Sequence, residues 1–588
     1  MADSPTFDTD GPVGVSIKIN GSAISDVLLV ASVKVYKQLG RIPEAVVTIE
    51  TGSIPANEFD VVDGAEFDLG AKIEVSAFYG DEAEGLLFKG IIYGKRLRIR
   101  AADPPQMILT CRDKAAVMNV VSKTTPFADQ KDSDVMSNII KQSGLTADIK
   151  ATQIAARDQL QHNCTDWDFL RMLADRNGYI LLSDDEKIKA APPDVNGAAV
   201  LSLTLGVDII TFDAEADTRA LIGEASGRSW DEAGQDIVEE DAKAPKDLKW
   251  GNLKNDALSD VIGGAKRGFA IPDVMDAADM GVIASARRLR SSLSALQGRC
   301  SFQGNAKPLP DTMIEIAGVG ERFGGTAYIS GVEQQIERGE WTTEVMLGLP
   351  ADWRSDVSDL GGADAAGLTT PIRGLQIATV VTLMQDPDDR LRVQVKLPML
   401  GIEETLVWAR FAAPYATADA GIQFMPEIGD EVVVAFLNAD PNAPVILGSL
   451  HNGTAAQPYT PDEPNTFKGI VSKSRMKIEF EDEKKILTLE TPGGHKVVMD
   501  DDTNTVTITD SNGNEMEMAA AGIALDSPGD ITLTAKGKIA LEAVQDVTVE
   551  GLNVELSANA QITASGNASA ELSSSGQTVV KGSIVMIN

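Results

Sequence analysis

Histidine and cysteine are the usual seats of acid–base, metal and nucleophilic chemistry, and this chain of 588 residues has three of each. His162, His451 and His495 lie far apart, as do Cys111, Cys164 and Cys300, with no CxxC pair among them. A disulfide framework or zinc knuckle is therefore not expected. No HExxH, GxxxxGK[ST], GxSxG or GxGxxG motif is present. Acidic residues offer three further candidates. Asp500, Asp501 and Asp502 could ligate calcium, but they read more simply as a solvated turn between Met499 and Val506. Asp386, Asp388 and Asp389 surround Pro387, where the fixed φ of proline suits a hairpin turn. His495, in Thr-Pro-Gly-Gly-His, reads as a turn residue. The expectation is a protein that is not an enzyme, with no catalytic residue, metal or cofactor.

Charge narrows the partners. Lys and Arg number 52 against 87 Asp and Glu, a net charge of −35. A polyanion would meet like charge without releasing counterions, so nucleic acid is not an expected partner. The amino terminus, MADSPTFDTDG, is acidic and polar, and no apolar run reaches the roughly 18 residues of a spanning helix. The expected place of folding is the bacterial cytoplasm, without a signal peptide.

The elements behind these residues fall into blocks. Residues 1–354 mix alternating strands, such as 15–19 and 46–49, with three helices. One runs from Asp132 to Gly144 with Ser133 as its cap. A second runs from Thr165 to Gly178, with Thr165 as cap, Asp168 at the capping-box position and Trp167, Leu170 and Leu173 on one face. Helical spacing assigns Trp167 and Phe169 to packing. A third spans 276–296. Residues 355–375 read as a linker. Residues 376–453 hold five short strand runs (377–384, 391–397, 408–412, 431–437 and 445–450), the pattern of a small barrel of the oligonucleotide/oligosaccharide-binding (OB) kind. Residues 454–469 form a second linker, too short to hold a carboxylate-pair hydrolase domain.

The stretch 470–588 is the most regular. After Phe480 it has no aromatic residue, and after Pro528 no proline. Apolar-x-apolar pairs recur at Ile531/Leu533, Ile539/Leu541, Val547/Val549, Val554/Leu556, Ile562/Ala564, Ala570/Leu572 and Thr578/Val580. The step is eight residues, except for seven between Val547 and Val554. Alternation at period two means strand, and the fixed period with glycines near the corners means stacked coils. A single chain with about 24 residues per coil would complete fewer than the roughly three coils a solenoid needs. Three chains winding together remove that shortage and the open edges. Ile531, Leu533, Ile539, Leu541, Val547, Val549, Val554, Leu556, Ile562, Leu572 and Val580 are then the packing residues of a trimeric needle. Looser pairs upstream, from Met476/Ile478 to Ile523/Leu525, would extend its base, with every strand pairing across chains.

Four stretches carry a family resemblance: SIKINGSAISDVLLVASVKVYKQLGRIPEAVVTIETG (16–52), CTDWDFLRMLADRNGY (164–179), YISGVEQQIERGEWTTEVMLGL (328–349), and DPDDRLRVQVKLP (386–398) with MPEIGDEVVVAFLNADPNAPVILGSLHNG (425–453). They resemble the spike–hub proteins of contractile injection machines, the VgrG family and its relatives in phage tails and extracellular injection particles. Where that family often carries a histidine in the third stretch, Gln334 and Gln335 stand here.

The resemblance implies a mainly β protein with some α. Its parts would be a hub of two β-barrel-like domains with helical inserts, an OB-fold neck and an intertwined trimeric β-helix needle. It further implies a homotrimer that joins a six-fold tube to a three-fold needle and punctures an envelope when the sheath contracts. Implied partners are the inner tube ring, baseplate proteins, effector cargo and a PAAR-repeat tip protein seated on Ile584, Val585, Met586, Ile587 and Asn588. The particle could be a type VI apparatus, a phage tail or one released outside the cell. Two rivals stay open: a phage tail-spike polysaccharide depolymerase, disfavoured by the aromatic-free needle, and a β-solenoid adhesin, disfavoured by the missing export signal.

Overall fold

The computed structural model describes residues 3–5, 11–52, 59–101, 103–232, 234–246, 248–252, 254–261, 266–271, 275–357, 360 and 364–587. Two compact units emerge, one over 1–428 and 432–448, the other over 429–431 and 449–588.

In the first unit, alternating strands build a 13-stranded sheet. Its two halves meet where Ser32–Gln38 pairs antiparallel with Gly331–Glu337. The expected two barrel-like units thus share one sheet while keeping separate cores. Val47, Ile49, Ile73, Phe88 and Leu109 fill one core. Leu203, Phe302, Ile314, Ile329 and Val345 fill the other.

The three expected helices are Asp132–Gln142, Asp166–Arg176 and Ala277–Ser294. Ser133 is not the cap of the first. Lys131 holds that position without a side-chain bond, and Ser133 lies buried, its N–H donating to Thr152 Oγ1 at 3.1 Å. Gly144 does close the helix, at φ +71°, a conformation that glycine adopts without strain. In the second helix Thr165 Oγ1 accepts from the N–H of Asp168, as a cap should. Asp168 does not return the bond to the backbone; its carboxylate faces Arg354 at 2.7 Å. Trp167, Leu170 and Leu173 are buried together with Met136 and Ile140 of the first helix.

Five strands close a barrel: Gln376–Thr382, Val393–Leu397, Ile402–Phe411, Glu431–Phe436 and Pro444–Ser449. The third begins at Ile402 rather than Trp408. Gly401, at φ +70°, reverses the chain at once, so that Leu397 faces Ile402.

In the second unit, seven strands pair in sequence order, each antiparallel to the next: Phe467–Val471, Lys477–Glu481, Ile486–Glu490, Lys496–Asp500, Thr505–Thr509, Glu515–Ala519 and Gly522–Asp526. This corrects the expectation that every strand here pairs across chains. Residues 527–587 form no strand within the chain.

Candidate functional site

Five-residue strands with apolar residues at their second and fourth positions place all of those side chains on one face. The register aligns them in two rows. Ile478, Leu489, Val497, Ile508, Met516 and Leu525 stand opposite one another in succession, as do Phe480, Leu487, Met499, Val506, Met518 and Ile523. The middle positions on the other face run Glu479, Thr488, Val498, Thr507, Glu517 and Ala524. Such alternation marks an antiparallel sheet with one face meant for a core. Yet the single chain leaves much of that face open, with only the start of the tail, at Asp530, Ile531 and Thr532, bordering it. Phe480, Met499, Ile508 and Leu525 are exposed, and a concavity of about 820 Å³ lies over the first row. Covering a half-exposed Ile, Leu or Met returns about 1 kcal/mol each, so the face stores a large drive to associate.

Turn chemistry makes the strands fold back. Each of the six reversals contains a residue at positive φ: Arg475, Lys485, Gly494, Asn504, Gly513 and Gly522. Two turns are further fixed by aspartates. Asp510 Oδ1 accepts from the N–H groups of Asn512 and Asn514 at 2.8 and 2.9 Å. Asp500 Oδ1 accepts from those of Asp502 and Thr503 at 2.8 and 3.0 Å. The Asp500 carboxyl is held below its ordinary range chiefly by the Thr503 N–H, and that of Asp510 chiefly by the side-chain amides of Asn514 and Asn512. The triplet 500–502 is thus a turn around Asp500.

The tail behaves differently. The expected packing residues Ile531, Leu533, Ile539, Leu541, Val547, Val549, Val554, Leu556, Ile562, Leu572 and Val580 are 53% to 80% exposed, and the chain does not bring them together. Among the described residues none after Gly522 has a positive φ, so the tail glycines do not reverse the chain. Gly566 serves close approach instead, since a Cβ there would stand 2.1 Å from the Ser569 carbonyl oxygen. At the end, Ile584, Val585, Met586 and Ile587 are exposed. Asn588 lies outside the described residues.

Other singled-out residues are structural. Gln334 is buried, accepts from Trp341 Nε1 at 2.8 Å and Thr343 Oγ1 at 2.6 Å, and donates to the Asn305 carbonyl at 2.9 Å. Gln335 donates to Glu337 at 3.2 Å. Phe169 stacks on Phe127 at 5.9 Å, and Trp167 donates to the Gly40 carbonyl. Asp386 accepts from the N–H groups of Asp388, Arg390 and Arg392 and from the Arg392 guanidinium, which holds its carboxyl well below the usual range. It therefore shapes the hairpin. Cys111, Cys164 and Cys300 are buried thiols, and burial pushes Cys111 and Cys300 up to about 12. His162, His451 and His495 are exposed and scattered. The self-paired sheet is the feature sequence reasoning missed. Its signal was present in strand steps of nine and ten residues with Gly493-Gly494 and Asn512-Gly513 between them.

Comparison with known proteins places this architecture. Residues 9–338 match the family described as the Alg8 N-terminal domain, and residues 376–451 match the type VI secretion system/phage-baseplate injector OB domain. The type VI secretion system spike protein VgrG1b of Pseudomonas aeruginosa is 28% identical over 202 residues, covering 32% of this chain and 27% of that protein. The actin cross-linking toxin VgrG1 of Vibrio cholerae is 35% identical over 102 residues, covering 16% of this chain and 9% of that protein. The chain thus matches about a quarter or less of the length of these relatives. A 43 kDa prophage tail protein from Shewanella oneidensis superposes with a TM-score of 0.42 at 12% identity, over 58% of this chain and 99% of that one. The first family match takes in more than half of the chain and the second takes in the barrel, so the chain belongs to the Alg8 N-terminal domain family and is similar, over part of its length, to VgrG spike proteins.

Proposed function

We propose that this protein is the homotrimeric central spike and baseplate hub of a contractile injection machine. Its hub would join a six-fold tube to a three-fold needle, and the needle would be driven through a target envelope. The observation that carries this reading is the pair of unfinished surfaces in the second unit. An apolar sheet face, much of which stays open, is followed by a tail with no strand partner in its own chain. Backbone groups and apolar side chains left open in this way need other chains. Three copies arranged about one axis cover the faces together and supply strands to each tail. Relatives of the chain are named spike proteins, which supports a mechanical rather than catalytic role. The exposed end at Ile584–Ile587 suits a separate tip protein of the PAAR-repeat kind. The remaining partners of this reading are the tube ring, baseplate proteins and effector cargo. Folding in the bacterial cytoplasm followed by incorporation into a particle, including one released from the cell, completes it.

Light scattering on the purified chain tests the proposal. The expected mass is three times 62.4 kDa, about 187 kDa. A monomer near 62.4 kDa that shows no needle by electron microscopy overturns it.

A further inference from the structure

The helix Asp166–Arg176 carries Asp168, Arg171 and Asp175 at spacings of three and four, which in an isolated helix would form a ladder of ion pairs. The fold diverts both carboxylates. Asp168 meets Arg354 Nε at 2.7 Å. Asp175 meets Arg290 at 2.7 Å and accepts from the Arg354 N–H at 2.8 Å. Arg171 is left between them without a direct ion pair or hydrogen bond among the described residues; burial pulls its guanidinium below the ordinary value, an effect the Asp175 and Asp168 carboxylates offset only in part.

The Arg171 side chain borders a recess of about 480 Å³ that is also lined by Tyr36, Arg41, Arg112, Trp167 and Arg354. Arg112 is engaged by Glu44 at 3.0 Å, whereas the Arg41 guanidinium makes no ion pair or hydrogen bond among the described residues. Gly40, at φ +69°, makes the close approach possible, for a Cβ there would stand 3.1 Å from Arg171 Nε. The recess therefore collects four arginines against Glu44 and Asp168, in a chain whose net charge is −35.

A half-buried guanidinium that hydrogen-bonds to no acceptor is costly even with carboxylates nearby, and an anion entering from outside in direct contact lowers that cost. The chain itself is a rich source of carboxylates. Copies carrying −35 each repel at long range, so their contacts gain most where a cationic hollow on one faces an acid on the next.

We propose that the recess beside Arg171 and Arg41 receives a carboxylate side chain from a second copy of this chain, forming a contact between neighbouring hubs. The proposal rests on the trimer reading above.

The test uses the full-length Arg171→Lys variant treated with a carbodiimide, which couples an amine to a carboxylate in contact with it and leaves arginine unreacted. Light scattering establishes the mass first, and mass spectrometry then maps the link. The expected result is a trimer in which position 171 is joined to an Asp or Glu that does not line the recess in its own chain. A trimer whose link reaches only Glu44, Asp168 or Asp175, or that gives no link at position 171, overturns the recess contact and leaves the trimer standing. A monomer overturns the trimer reading, and the contact with it. Arg171→Ala gives a second readout. Loss of a contact between copies lowers the melting temperature of the full chain and weakens its dependence on salt. An unchanged or raised melting temperature sinks the proposal.

Discussion

Residues 477–526 and 527–587 both repeat an apolar-x-apolar pair, yet they fold by different rules. In the first stretch the pairs recur every nine or ten residues, apart from the final step of seven, and each strand turns back on its predecessor. In the second they recur almost strictly every eight, and the chain never turns back. The difference lies in the corners. The tight reversals favoured between neighbouring antiparallel strands use a residue at positive φ, which glycine and asparagine supply readily. All six reversals of the sheet have one, and the tail has none among the described residues. Similar side-chain patterning therefore gives a self-paired sheet with an open face in one case and a chain without strand partners in the other. The sheet lacks only side-chain cover, while the tail lacks backbone partners as well.

The sharpest way to break the contrast is to charge the sheet face. Ile508→Asp places three carboxylates at the proposed axis, at roughly 3–5 kcal/mol for each unpaired buried charge, and is expected to abolish the 187 kDa species in light scattering. Thr507→Asp, one residue away on the opposite face, is expected to leave it intact, within about 0.5 kcal/mol. If both variants remain trimeric, the open face is not the seam.

The double variant Leu541→Asp and Val549→Asp acts on the tail alone. Electron microscopy should show the needle lost, while amide exchange in 477–526 stays slow because the bonds of the sheet lie within one chain. An intact needle would refute the eight-residue register.

Glycine substitutions probe the corners at smaller cost. Gly494→Ala forces a side chain to φ +88° and should destabilise the second unit by about 1–2 kcal/mol in urea melts. Gly537→Ala, where an added Cβ meets nothing within 4 Å, should fall within about 0.5 kcal/mol of the parent. Equal effects at both sites would remove the distinction between the two kinds of corner.

The smallest effect is acid sensitivity of the sheet turns. Asp510 is held low chiefly by the side-chain amides of Asn514 and Asn512, at 2.8 and 3.0 Å. A carboxyl depressed in the folded state contributes stability that is full above its unfolded value, about 3.9, and is lost as pH falls through the folded one. Exchange protection at 510–514 should therefore persist at neutral pH and fade only below about pH 4. Asp510→Asn should flatten that profile; an unchanged acid transition would assign it to other groups.

Much of this was legible from residue types. Five strand runs foretold the barrel, and its hairpin could be located from Asp386-Pro387-Asp388-Asp389 because proline and aspartate act on their own backbone. The helix 166–176 was equally plain, since Thr165 caps a regular apolar stripe. Ser133 misled because a capping residue type beside a helix start says nothing about what the fold packs against it; Lys131 occupies the cap position without a side-chain bond, and Thr152 claims the Ser133 N–H. Asp168 was correctly placed, but its partner, Arg354, lies 186 residues away, a distance that no local pattern encodes. The sheet at 467–526 was misread because the pair spacing was weighed and the turns between the pairs were not.

What the sequence determined by itself is therefore local: periodicity, caps, turn residues, and the scarcity of groups able to do chemistry. Each depends on residues a few positions apart, where backbone geometry leaves few choices. What only the tertiary structure decided is which carboxylate answers which arginine and which surfaces stay unanswered. Arg171 stands ready to pair within its own helix, and the direct contacts of both candidates go to distant side chains. The apolar rows look like any strand core until the sheet is laid out and much of the face stays open. Those outcomes follow from competition among partners across the whole fold, and that competition is settled only when the chain is assembled in three dimensions.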